Sequence, residues 1–186
     1  MGYIPPMRAF FILILLILAT PLRADPLAAA GQPGAILLMR HAIAPGTGDP
    51  AGFRLDDCRT QRNLSAAGQA QARAIGARLA EAGITFTQIL TSEWCRARDT
   101  ARLLNLGPVT AFPPANSFFS TRQDEPAQTA AILAHLDALP PQARVLIVTH
   151  QVNITALTGI VPQSGETLVV RRSAQGLQLV GRLPPP

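Results

Sequence analysis

Two kinds of hydrophobic pattern alternate along the chain. One is a short apolar run with nothing polar inside it. The other is a longer stretch in which apolar residues recur at helical spacing. Residues 35–39, Ala-Ile-Leu-Leu-Met, are a run of the first kind. Such a run predicts a strand buried on both faces. Residues 88–91 and 145–148 predict two more strands, and residues 109–112 a further one between them. Helical patterns lie between them. Ser65 stands as an N-cap before a helix that runs through Ala70, Ala74, Ile75 and Leu79 and stops at Gly83. A second helix is predicted over residues 95–104, closed by Gly107-Pro108. A third covers 127–139, with Ile132, Leu133 and Leu136 on one face. A short helix after the 145–148 strand ends at Gly159. Residues 167–171 and 177–182 alternate more cleanly and predict antiparallel or edge strands. Residues 45–62 and 113–126 read as loops. Strands alternating with helices imply an α/β fold, a three-layer α/β/α sandwich around a mostly parallel sheet.

The first two dozen residues do not fit that alternation. Arg8 precedes eleven apolar residues, Ala9 to Ala19. One positive charge before a run of this length is the layout of a secretory signal. A spanning helix needs about twenty apolar residues, so the membrane is expected to be touched only through this segment before cleavage. Cleavage could follow Ala24 or Ala30, which gives residues 1–24 as signal and 33–183 as one catalytic-sized domain. No cysteine marks a lipid-anchoring junction.

Apolar residues make up 48% of the 186 and charged residues 15%, a globular composition. All 16 basic residues are arginine. Every cationic contact therefore comes from a forked guanidinium, a shape that suits phosphate. Cleavage after Ala24 would remove Arg8 and Arg23 and lower the formal charge from +5 to +3. An excess that small does not point to nucleic acid. The two cysteines, Cys58 and Cys95, either pair in an oxidising compartment or remain as separate thiols. Paired, they would tie the loop after the first strand to the segment before Arg96.

The chemistry collects at strand ends, where open α/β sheets bind ligands. The first strand ends in Arg40-His41. The second leads through Thr91-Ser92 to Arg96. The fourth ends in Thr149-His150. If those strands are neighbours, two arginines and two histidines converge on an anion site. Two histidines could hold zinc, but no third ligand lies at an evident spacing, and adjacent arginines repel a cation. Neither metal nor cofactor is expected. An imidazole nitrogen can attack phosphorus to give a phosphohistidine, with arginines neutralising the equatorial oxygens.

Four segments resemble one family. Leu38-Met39-Arg40-His41-Ala42 resembles the Arg-His-Gly/Ala signature of the histidine phosphatase superfamily, which includes cofactor-dependent phosphoglycerate mutases and phosphohistidine phosphatases. Asn63-Leu64-Ser65-Ala66-Ala67-Gly68 resembles its Leu-Ser/Thr-x-x-Gly helix start. Residues 92–101 fit Ser-x-x-x-Arg-Ala-x-x-Thr-Ala, and residues 145–157 resemble the strand carrying its second histidine. The resemblance implies a phosphoglycerate mutase-like fold and a metal-free reaction. His41 would be the nucleophile, and Arg40, Arg96 and His150 would bind the phosphoryl group. Thr47 is a looser match to a further phosphate-binding position.

The proton donor is less evident. Gln151 follows His150, where the acid phosphatase and phytase branch has aspartate. The mutase branch takes a glutamate from a later loop, which here offers Asp124 and Glu125. Asp57 in the first loop is a rival. The expected activity is hydrolysis of a phosphomonoester or phosphoramidate through phospho-His41, in a periplasmic or secreted protein. The substrate would be a phosphorylated small molecule or a phosphoprotein. The alternatives are a non-catalytic phosphate-binding protein and a phosphohistidine protein phosphatase. His135, inside a helical pattern, reads as structural. Trp94 fits the pocket rim or the core, Phe118-Phe119 a lid or a pinned loop, and Arg98 and Arg102 a solvated helix face.

Overall fold

Six strands form a single sheet in the order β3-β2-β4-β1-β5-β6. The computed structural model describes residues 1–2 and 25–186, so the apolar segment after Arg8 and the junction at Ala24 lie outside the described residues. Along the chain the order is α1 (Pro26–Ala30), β1 (Ile36–Arg40), α2 (Ala66–Glu81), β2 (Gln88–Thr91), α3 (Cys95–Leu103) and β3 (Val109–Ala111). Then come α4 (Glu125–Asp137), β4 (Val145–Thr149), α5 (Gln151–Thr158), β5 (Thr167–Ser173) and β6 (Gly176–Leu183). The four strands β3, β2, β4 and β1 are parallel. β5 runs antiparallel to β1, and β6 antiparallel to β5. The sheet is therefore mixed, with its parallel half where the buried apolar runs predict it.

Alternate residues of the central strands feed two cores. Leu37, Met39, Leu146 and Val148 pack with α1, α2 and α3 on one face. Ile36, Leu38, Val145 and Ile147 pack with α4 and α5 on the other. This is the three-layer sandwich, and it explains why β1 and β4 carry no polar alternation: both faces are covered.

Local chemistry sets the element ends. The Ser65 hydroxyl accepts from Gly68 N at 3.0 Å and caps α2. The buried face of α2 runs through Gly68, Ala72, Ile75, Gly76 and Leu79, while Ala70 and Ala74 face solvent. The segment 113–126 is more ordered than expected. It holds two short 3-10 turns, Pro113–Ala115 and Arg122–Asp124, and α4 already starts at Glu125. Pro126 suits the first turn of a helix, because its missing N–H would have no partner there. On α4, Ile132 and Leu136 are buried and Leu133 only partly so. The fold also begins before residue 33: α1 packs on β6, and Ala30 is fully buried. Cleavage after Ala30 would remove that helix from the core.

Candidate active site

Strand order brings the chemistry together. β4 lies between β1 and β2, with Arg40 paired to Thr149 and Thr91 paired to Val148. All three strands thus end at one level, and the residues just beyond them share one pocket. His41, Arg40, Arg96 and His150 line it, with Thr47, Asp49, Arg62 and the first residues of α5. The rings of His41 and His150 lie 5.4 Å apart.

Backbone contacts fix His41. Its N–H donates to Thr149 O at 2.9 Å. The next amide, Ala42 N, donates to Thr100 Oγ1 at 3.0 Å, and that hydroxyl donates to Arg96 O at 2.7 Å. Thr100 therefore ties the His41 loop to the helix that carries Arg96. Gly68 gives that loop its room, since a Cβ there would lie 2.0 Å from Ile43 O.

The imidazole of His41 is buried, and its Nδ1 lies 2.8 Å from Ala42 O. A carbonyl oxygen only accepts, so Nδ1 carries the proton and Nε2 keeps a lone pair. Burial pushes the His41 pKa down to about 3, opposed by the Ala42 hydrogen bond and assisted by Arg96, Arg62 and Arg40. The ring is neutral and nucleophilic at ordinary pH. His150 is held well below its usual range by burial, then by His41 and the same three arginines. Its Nε2 lies 2.8 Å from Ser92 Oγ.

Among the described residues, Arg40 Nε, Arg96 Nε and His150 Nδ1 are buried polar atoms without a protein partner. Three guanidiniums and a helix N-terminus around them make an anion site. Arg40 also donates to Pro162 O at 3.0 Å, and Arg62 to Gly48 O at 2.8 Å and to Ala44 O. Burial and Arg96 lower the pKa of Arg40. Burial, Arg96 and Arg40 lower that of Arg62, with Asp49 opposing. Phosphoryl oxygens would relieve that crowding of like charges. Among the described residues no three His, Cys, Asp or Glu side chains cluster to hold a metal ion.

The proposed proton donors sit elsewhere. Asp57 caps a turn at Cys58–Thr60 and pairs with Arg59 at 2.9 Å. Asp124 and Glu125 lie where α4 starts. None of the three lines the pocket; Asp49 does. Its carboxylate accepts from Arg96 Nη1 at 2.5 Å and from Trp94 Nε1 at 3.0 Å. Burial is the largest single influence on Asp49 and pushes its pKa up. The hydrogen bonds from Arg96 and Trp94, with the charges of Arg96 and Arg62, together hold it below the usual value.

The remaining side chains sort clearly. Cys58 and Cys95 form a disulfide. Arg98 lies against both its sulfurs, partly buried, and only Arg102 is on the solvated face. Trp94 is half-buried beside the pocket without lining it, stacked on Phe53 at 5.1 Å and edge-on to His150 at 5.6 Å. Phe118 is pinned in the core and Phe119 lines the pocket. His135 bonds Gln88 Oε1 at 2.9 Å, a structural role.

Sequence reasoning missed Arg62, Asp49 and Ser92 as site residues. Arg62 stands one residue ahead of the Asn63–Gly68 motif, a signal that could have found it. Asp49 carries none, because a carboxylate in a Gly- and Pro-rich loop reads as solvated.

The sequence model of the histidine phosphatase superfamily (branch 1) matches residues 36–115. No curated protein matches the chain. Solved structures do. The SixA protein of Agrobacterium tumefaciens aligns over 83% of this chain and 99% of its own, at 20% identity and a TM-score of 0.60. The protein histidine phosphatase SixA complexed with tungstate aligns over 81% and 96%, at 16% identity and 0.59. Phosphoserine phosphatase from Entamoeba histolytica, bound to 3-phosphoglyceric acid, aligns over 80% and 95%, at 13% identity and 0.61. At these identities the likeness is one of fold. The matched stretch holds His41, Arg62 and Arg96, so residues 36–115 are similar in sequence to the histidine phosphatase superfamily, and the chain shares the fold of these solved structures.

Proposed function

We propose that the protein is an exported, metal-independent phosphatase that hydrolyses a phosphomonoester or phosphoramidate through phospho-His41. The observation that carries this reading is the neutral His41 imidazole, its Nδ1 tied to Ala42 O, in one pocket with Arg40, Arg62 and Arg96. The free Nε2 attacks phosphorus. The arginines take the charge that spreads over the phosphoryl oxygens. The SixA structure of the same fold is complexed with tungstate, which supports oxyanion binding by this protein too. The disulfide is compatible with an oxidising compartment, which supports export.

One observation favours a phosphohistidine of a protein as substrate over a small molecule. From the segment between β3 and α4, only Ser117 and Phe119 reach the pocket, and Phe119 is 43% exposed. A pocket covered so lightly admits a side chain presented by a larger surface.

The test is hydrolysis of p-nitrophenyl phosphate by the mature protein with EDTA present, beside His41→Ala. Activity that survives EDTA and vanishes in the variant is expected. Equal activity in the variant would remove His41 as nucleophile.

A further inference from the structure

Asp49 is the one carboxylate among the described residues lining the His41 pocket. Its Oδ1 accepts from Arg96 Nη1 at 2.5 Å and its Oδ2 from Arg96 Nη2 at 3.3 Å. A carboxylate of the chain itself thus occupies the fork of the buried guanidinium best placed to take a phosphoryl group. Carboxylate and phosphoryl oxygens fit that fork in the same two-pronged way, so they compete for it. Asp49 follows turns at Gly46 and Gly48, whose φ values of +93° and +69° suit glycine. Among the described residues, no other carboxyl group lines the pocket. Gln151 is an amide, and Asp57, Asp124 and Glu125 lie outside the pocket.

We propose that Asp49 is the proton donor of the reaction, held on Arg96 until an incoming phosphoryl group takes the guanidinium. This rests on the phosphatase reading above. Off Arg96, the carboxylate loses the hydrogen bonds that kept it ionised and gains a phosphoryl dianion beside it. It then takes up a proton from solvent. As His41 Nε2 forms its bond to phosphorus, the bond from phosphorus to the leaving oxygen breaks. The electron pair goes to that oxygen, and Asp49 delivers its proton there. In the second half, Asp49 takes a proton from water as the water oxygen bonds phosphorus. The N–P bond breaks, its electron pair returns to Nε2, and Asp49 is protonated again.

The experiment compares wild type, Asp49→Asn and Asp49→Ala on two esters and on tungstate binding. Asparagine keeps the shape and can still accept from Arg96 and Trp94, but it cannot give up a proton. p-Nitrophenolate leaves without help, whereas the alkoxide of glycerol 2-phosphate does not. In both variants kcat/KM on glycerol 2-phosphate, which reports the steps up to release of the leaving group, should fall about 10²- to 10⁴-fold, while kcat/KM on p-nitrophenyl phosphate stays within about tenfold. Calorimetric titration should show tungstate binding tighter once the competing carboxylate is gone. Equal losses on both esters, or no loss on either, would overturn the proposal. So would weaker tungstate binding in Asp49→Asn, because it would make Asp49 a positioning residue for Arg96. Wild-type protein that turns over neither ester would sink the phosphatase reading and the role of Asp49 with it.

Discussion

Ser92 Oγ lies 2.8 Å from Nε2 of His150, and the same hydroxyl lies 3.2 Å from Oδ1 of Asn116. That oxygen also accepts from Glu93 N at 2.8 Å. Oδ1 can only accept, so the hydroxyl proton points to it, and His150 Nε2 donates to Ser92. His150 is thereby fixed in orientation and tautomer. Ser92→Ala should leave that buried N–H unpaired, at a cost of about 1–3 kcal/mol. Phosphatase kcat should fall with the fold intact, as circular dichroism and kinetics on one preparation would show. Unchanged kcat would mean that the contact does not position His150.

Arg62 has two jobs. It holds the first loop through Gly48 O and Ala44 O, and it lends positive charge to the pocket. Removing one charge-assisted contact costs about 1.5–3 kcal/mol. Arg62→Ala should weaken tungstate binding by about 10- to 100-fold. Arg62→Lys should restore little of it, because an ammonium cannot match the forked geometry. Full rescue by lysine in a tungstate titration would show that only charge matters there.

The disulfide closes a loop with a sequence separation of 37 residues, from the first loop to the start of α3 next to Arg96. Chain entropy alone assigns such a cross-link roughly 4 kcal/mol. Reduction, or Cys58→Ser with Cys95→Ser, should lower Tm by about 10 °C in calorimetry. Oxyanion affinity should fall too, because Arg62 and Arg96 stand beyond the two ends of the tether. A Tm that ignores reductant would contradict this.

Gly68 and helix propensity make opposite predictions. In an exposed helix, Gly→Ala stabilises by about 1 kcal/mol. At Gly68 the new Cβ would meet the backbone of Ile43, which cannot swing aside as a side chain would. Gly68→Ala should therefore destabilise by more than about 2 kcal/mol, the scale of overpacking a tight contact. Denaturant melts give the sign directly.

Acid should unfold the protein early. Both pocket histidines are neutral in the fold, His41 with a pKa of about 3 and His150 well below 6.5. In the unfolded chain each titrates near 6.5. Between those values the unfolded state binds more protons, so stability rises with pH there. It is complete above about pH 7 and is lost as the pH falls through about 6.5 toward 3. Tm measured from pH 7 to pH 4.5 should drop, and His41→Gln should flatten the slope. A flat wild-type profile would mean the histidines are not held neutral.

How much was legible in the sequence follows from physical range. Strands β1, β2 and β4 were readable because a strand covered on both faces has no polar alternation, a property of the run itself. The Ser65 cap was readable because capping acts over three residues. His41, Arg40, Arg96 and His150 were readable as strand-end groups, and their convergence needed only that β1, β4 and β2 be neighbours, which the sheet order supplies. Contacts set by loop paths were not readable. Asp49 meets Arg96 across 47 positions of sequence, and nothing local marks that carboxylate. Ser92 reaches His150 across 58. The ranges of local hydrogen bonds and of apolar periodicity are short, so sequence alone determined the elements and the residues at their ends. Side-chain partners brought together by loops depend on the packed whole, so only the tertiary structure decided which carboxylate shares the pocket with His41.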